Sequence, residues 1–171
     1  MSTLLKFGFG GGCHWCTEAV FKQLKGVHKV LQGYIASTSP FSNFSEAVIV
    51  NFNPSEISLK DLIMVHLNTH ASTKDHSFRD KYRSAVYYYN LNDKPYIKRL
   101  LEDLKREDNK AYITKILKLE SFKESRESIR DYYTKHPNAP FCNRYILPKF
   151  KILKNNYSSL TFNGFDLEND I

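Results

Sequence analysis

The chain has 171 residues, 42% hydrophobic and 25% charged, enough apolar material for one core in a globular domain and too little charge for a disordered one. The net charge is +7, but the 25 Lys and Arg are interspersed with 18 Asp and Glu, with no basic run of five or more, which argues against a nucleic-acid partner. No apolar run approaches the roughly 20 residues that span a bilayer, and residues 1–5 do not open a secretory signal, so a cytoplasmic, monomeric protein with no membrane partner is expected.

The predicted elements alternate between strand and helix. Residues 6–9 read as a short strand that runs into a glycine cluster. A helix follows over residues 15–24, with Gly26 as its stop. Residues 29–36 and 46–52 are rich in Val, Ile and Phe, as strands are, and Ser37-Thr38-Ser39-Pro40 marks the loop between them. Ser58, with Asp61 three positions on, is a helix start. Leu59, Leu62, Ile63, His66 and Leu67 then share one helical face. Residues 84–89 form the next strand. Asp93 opens another helix, with Ile97, Leu100, Leu101 and Leu104 on one side. Residues 112–119 read as a strand and 125–135 as a last helix. Residues 155–171 are polar with scattered aromatics and read as a loosely packed tail.

The order predicts one α+β domain over residues 1–171. Its βαββαβ, ferredoxin-like core carries a mainly antiparallel mixed sheet, covered by helices and followed by a C-terminal extension.

The sharpest local feature is Gly10-Gly11-Gly12-Cys13-His14-Trp15-Cys16. Glycines between a strand and a helix place Cys13 at the helix N-terminus, where free N–H groups and the helix dipole favour a thiolate. The local pattern also fits a glycine turn with an inert buried thiol. Cys13 and Cys16 form a C-x-x-C pair, read either as a thioredoxin-like dithiol or as half of a metal site with His14. Only Cys142 and scattered histidines remain as further ligands, without a second paired motif, so no metal is expected. Cys16, three residues into the helix, also suits a core position.

Four motifs in order resemble the A-type methionine sulfoxide reductases. They are Gly11-Gly12-Cys13-His14-Trp15-Cys16, Gly33-Tyr34, Ser45-Glu46-Ala47-Val48 and Lys81-Tyr82-Arg83-Ser84-Ala85. The resemblance spans residues 5–150. It implies that Cys13 attacks the sulfur of methionine sulfoxide (S epimer, free or protein-bound), leaving a sulfenic acid on the enzyme. It implies that Glu46, kept protonated by an apolar setting, gives the sulfoxide oxygen a proton. Tyr34 and Tyr82 would donate hydrogen bonds to the same oxygen, and Trp15 would wall the substrate methyl group. No bound cofactor is implied. Cys142 resembles the family's C-terminal resolving cysteine, with Cys16 as the alternative. Thioredoxin, or dithiothreitol in vitro, would reduce the resulting disulfide. The segment around Cys142 contains Pro140 and Pro148 and reads as a loop.

The chain departs from the family pattern twice. His14 stands where the family has Phe, making that wall of the substrate site more polar. Ser77 stands where the family tends to have Asp, and is carried as a second-line substrate residue. Two other functions compete with the reductase reading. One is a dithiol oxidoreductase or peroxide-reactive protein using Cys13 and Cys16. The other is a basic binding module that has lost activity.

Overall fold

The structure is a computed structural model, and it describes residues 3–162. Six strands form one sheet: β1 (Leu5–Gly10), β2 (Val27–Ala36), β3 (Ser45–Phe52), β4 (Ala85–Tyr88), β5 (Lys115–Lys118) and β6 (Ser121–Glu124). Their order across the sheet is β5-β4-β1-β3-β2-β6. The inner four give the ferredoxin-like order expected for βαββαβ. All neighbours are antiparallel except β4 and β5, which run parallel.

The helices are α1 (His14–Lys22), α2 (Leu59–Asn68), α3 (Asp93–Asp108), α4 (Tyr132–Lys135) and α5 (Leu147–Asn156). The Ser58 hydroxyl accepts the Asp61 N–H at 3.0 Å and caps α2, as the sequence predicts. Strand alternation decides which side chains the helices cover. Phe7 and Phe9 of β1, Val48 and Val50 of β3 and Val86 of β4 belong to one large core with Phe21 of α1 and Leu62 of α2. Ile35, Ala47, Ile49, Ala85 and Tyr87 form a smaller cluster, shielded by Leu31, Leu117 and Phe122. In the same alternation Glu46 shares the face of Val48 and Val50. It pairs directly with Tyr34 on β2.

Three expectations change. The helix predicted over 125–135 is a 3₁₀ turn (Glu127–Ile129) followed by the short α4. Arg130 is extended and Asp131 is left-handed, and the Asp131 N–H goes to the buried Glu18 carboxylate at 2.8 Å, so no continuous helix can form. The edge strand β6 is too short and polar to read as a strand in sequence. The Cys142 region is no loop: residues Cys142–Ile146 are π-helical and run into α5. Pro148 lies in the first turn of α5, where its missing N–H costs nothing. Of the predicted tail, Thr161 is buried and bridges to Leu24, and residues 163–171 lie outside the described residues.

Candidate active site

β1 ends at Gly10, and the glycine turn delivers Cys13 to the N-cap of α1. At Gly11 the turn is packed too tightly for a side chain. A Cβ on Gly11 would sit 2.4 Å from the His70 ring. His66 and His70 brace the turn from α2 and its end. The His66 ring contacts the Gly10 carbonyl at 2.8 Å, and His70 reaches the Ser84 hydroxyl at 2.8 Å. Burial pushes His66 down to about 4 and His70 well below the usual histidine range, so both are neutral braces. Arg79 donates to the carbonyls of Gly11 and Tyr82, each at 2.9 Å, and ties the turn to the Tyr82 segment. None of these three roles is legible in the sequence, because each depends on a contact to a residue distant along the chain.

The Cys13 thiol is held below its ordinary pKa. The Cys16 thiol donating to its sulfur is the main cause, and the N–H groups of Trp15 and Cys16 add to it. Burial and the Glu46 carboxylate oppose them. Cys16 is driven far up as the donor of that bond and by burial. The C-x-x-C pair is thus asymmetric, with Cys13 the thiol favoured as thiolate and Cys16 the one kept protonated.

A cavity of about 350 Å³ opens at this pair, lined by Cys13, Cys16, His70, Tyr82, Tyr145 and Lys149. Burial holds Lys149 below the usual lysine range, against the two thiols. Its ammonium donates to the Thr69 carbonyl.

Glu46 and its neighbours form a second group at Cys13. Glu46 is 7% exposed, its N–H donates to the Lys81 carbonyl at 2.9 Å, and its Oε1 accepts the His14 N–H at 3.3 Å. The His14 Nε2 lies 3.2 Å from the same oxygen, and Lys81 Nζ lies 3.6 Å from Oε2. The half-buried Tyr34 meets the His14 ring edge-on, with centroids 5.2 Å apart. Trp15 stacks flat on Tyr132 at 4.0 Å and meets Phe141 edge-on at 5.2 Å. Its indole is therefore fixed between α1 and the 132–141 segment.

The remaining predicted residues lie apart. Cys142 is buried, burial pushes its thiol up, and the thiol donates to the His136 carbonyl at 3.1 Å. Ser77 is exposed and does not line the cavity. Among the described residues no three His, Cys, Asp or Glu side chains gather as metal ligands, and no helix is long and apolar enough to cross a membrane.

The family model for peptide methionine sulfoxide reductase matches residues 6–160. The chain belongs to the peptide methionine sulfoxide reductase family. It is 32% identical to the peptide methionine sulfoxide reductase MsrA of Sulfolobus acidocaldarius over 162 residues, covering 86% of this chain and 92% of that one. The MsrA of Psychrobacter arcticus is 31% identical, with 87% and 94% covered. Among solved structures, reduced Mxr1 from Saccharomyces cerevisiae aligns with a TM-score of 0.68 at 21% identity, covering 80% of this chain and 87% of that one. Methionine sulfoxide reductase A of Corynebacterium diphtheriae aligns at 0.66 and 21%, with 80% and 76% covered. Mxr1 in complex with Trx2 aligns at 0.59 and 19%, with 72% and 82% covered. As a member of this family the chain is an oxidoreductase.

Proposed function

We propose that this reductase converts the S epimer of methionine sulfoxide, free or in proteins, to methionine at Cys13. The observation that carries this reading is Cys13 at the α1 N-cap, lining the cavity beside Cys16, with Glu46 held by the backbone N–H of the next residue. The Cys13 thiolate bonds to the sulfoxide sulfur as the oxygen takes a proton from Glu46. Breakdown of that adduct transfers the oxygen and releases methionine. The methionine sulfur is reduced by two electrons, and Cys13 becomes a sulfenic acid. Tyr34 and Tyr82 hold the oxygen, and Trp15 faces the methyl group.

Regeneration requires a second thiol. The family resemblance points to Cys142, and the hydrogen bond points to Cys16. We assign the first disulfide to Cys13–Cys16: the Cys16 sulfur attacks the sulfenic sulfur and water leaves. Cys142 then displaces Cys13 from Cys16 by exchange, freeing the nucleophile and leaving a Cys16–Cys142 disulfide. Thioredoxin as reductant is supported by the Mxr1 complex with Trx2, and a reducing cytoplasmic setting and a monomeric state fit the same reading.

A single-turnover experiment tests both parts. Protein lacking Cys16 and Cys142 (both to Ser), mixed with methionine sulfoxide, releases one methionine per chain. It gains one oxygen on Cys13, trappable with dimedone. Wild type oxidised in the same way and mapped by mass spectrometry carries Cys13–Cys16 first and Cys16–Cys142 later. Methionine release without oxygen on Cys13 sinks the chemistry. A first bond between Cys13 and Cys142 sinks the assigned order.

A further inference from the structure

Position 14 directly follows the nucleophile, and where the family resemblance places Phe this chain has His. A phenyl ring cannot hydrogen-bond, and the structure puts the imidazole to a use that Phe could not serve. His14 is the first residue of α1 and is 4% exposed. Its Nδ1 lies 2.9 Å from the Gly33 carbonyl oxygen. A carbonyl only accepts, so Nδ1 carries the hydrogen. Burial favours the neutral ring and lowers its pKa, with the Gly33 carbonyl and Glu46 opposing and Lys81 assisting. A neutral ring protonated at Nδ1 has a bare lone pair at Nε2. That lone pair faces Glu46 Oε1 at 3.2 Å, with both side chains under one-tenth exposed. Two lone pairs do not face each other at that distance in a buried site, so a proton lies between them. The backbone N–H of the same residue holds Oε1 from a second direction at 3.3 Å.

We infer that His14 is a positioning residue for the acid of this reaction, sharing one proton with Glu46 between Nε2 and Oε1 and keeping it beside Cys13. The inference rests on the proposed role of Glu46 as proton donor. The other charged or titratable groups facing the pair are the Cys13 thiol, the Tyr34 phenol and the Lys81 ammonium. Lys81 also sits over the Tyr82 ring and is solvent-exposed, which screens its charge. As the sulfur–sulfur bond to substrate forms, the shared proton passes through the carboxyl to the sulfoxide oxygen. A neutral imidazole and a carboxylate remain, and solvent returns the proton after turnover. The proton belongs to the pair, and removing the imidazole leaves the carboxyl to hold it alone. His14 therefore sets the upper pH limit of the reductase.

Two measurements decide this. The first is the ¹⁵N spectrum of the His14 ring in the reduced protein, assigned by its loss in His14→Phe. It reads the pair directly and needs no turnover. The expected result is a protonated Nδ1 and a hydrogen-bonded Nε2 whose titration changes when Glu46 becomes Gln. A bare Nδ1, or a His14 signal indifferent to Glu46→Gln, overturns the inference. The second is kcat/KM against pH with dithiothreitol. His14→Phe moves the basic limb down by about one pH unit, so its penalty grows roughly tenfold between pH 6 and pH 8. A parallel loss at every pH indicates packing alone and also overturns it. Absence of turnover in wild type refutes the proposed reaction instead, and the spectrum still decides the pair.

Discussion

Glu46→Gln lowers kcat/KM for methionine sulfoxide by about 10²- to 10⁴-fold, the usual contribution of a positioned general acid. The substitution is isosteric and leaves the surroundings in place. The β3 backbone still donates to the Lys81 carbonyl, and the amide oxygen still accepts the His14 N–H. What is lost, on the proposed mechanism, is the proton that the sulfoxide oxygen takes as the sulfur is attacked. Glu46 pairs with Tyr34 across the strands and touches the residue after Cys13, so the loss falls on the site itself. Steady-state kinetics with dithiothreitol measure the loss, and an unchanged melting temperature shows that the fold is intact. A loss of less than about fivefold contradicts the role given to Glu46.

The second large effect is structural. Arg83→Leu destabilises the protein by about 3–5 kcal/mol, which for a chain of this size lowers Tm by about 10 °C or more. Arg83 is 4% exposed, and its guanidinium is a fixed fork. It donates to the Tyr87 hydroxyl at 3.0 Å, the Ile35 carbonyl at 3.0 Å and both the side chain and the carbonyl of Asn43 at 3.2 Å. The ends of β2 and β4 and the loop before β3 are thereby joined through one side chain. Leu fills the volume but leaves these buried acceptors without their donor. The site suffers as well. The Arg83 backbone N–H, which the substitution keeps, donates to the Ser45 hydroxyl, which donates in turn to the Lys81 carbonyl that also receives the Glu46 N–H, so a shift of this segment on loss of the guanidinium contacts is passed to Glu46. Thermal melts and kcat together test this, with both falling. A variant that melts like wild type contradicts it.

The parts of this account legible in the sequence are those carried by short-range patterns. Glycine spacing and a following helix placed Cys13 at a helix start. Period-two alternation put Glu46 on the face of Val48 and Val50, and that face is the one the helices cover. The Ser58 cap and the α2 and α3 faces follow from local chemistry and helical period. The rest depends on partners distant in sequence. His70 reads as one scattered histidine until α2 brings it against Gly11. Arg79 reads as an ordinary surface base until it clamps the carbonyls of Gly11 and Tyr82. The break in the 125–135 segment comes from Glu18, more than 100 residues away, which captures the Asp131 N–H. His14 shows the same limit from the other side. Its departure from Phe is visible in sequence, but its use depends on Gly33 and Glu46 meeting it in space.

The most direct test of the central claim uses chirally resolved methionine sulfoxide peptides with dithiothreitol, comparing wild type with Cys13→Ser. Wild type is expected to consume the S epimer alone, and Cys13→Ser to consume neither. Turnover that survives in Cys13→Ser, or a wild type inert toward both epimers, contradicts that claim.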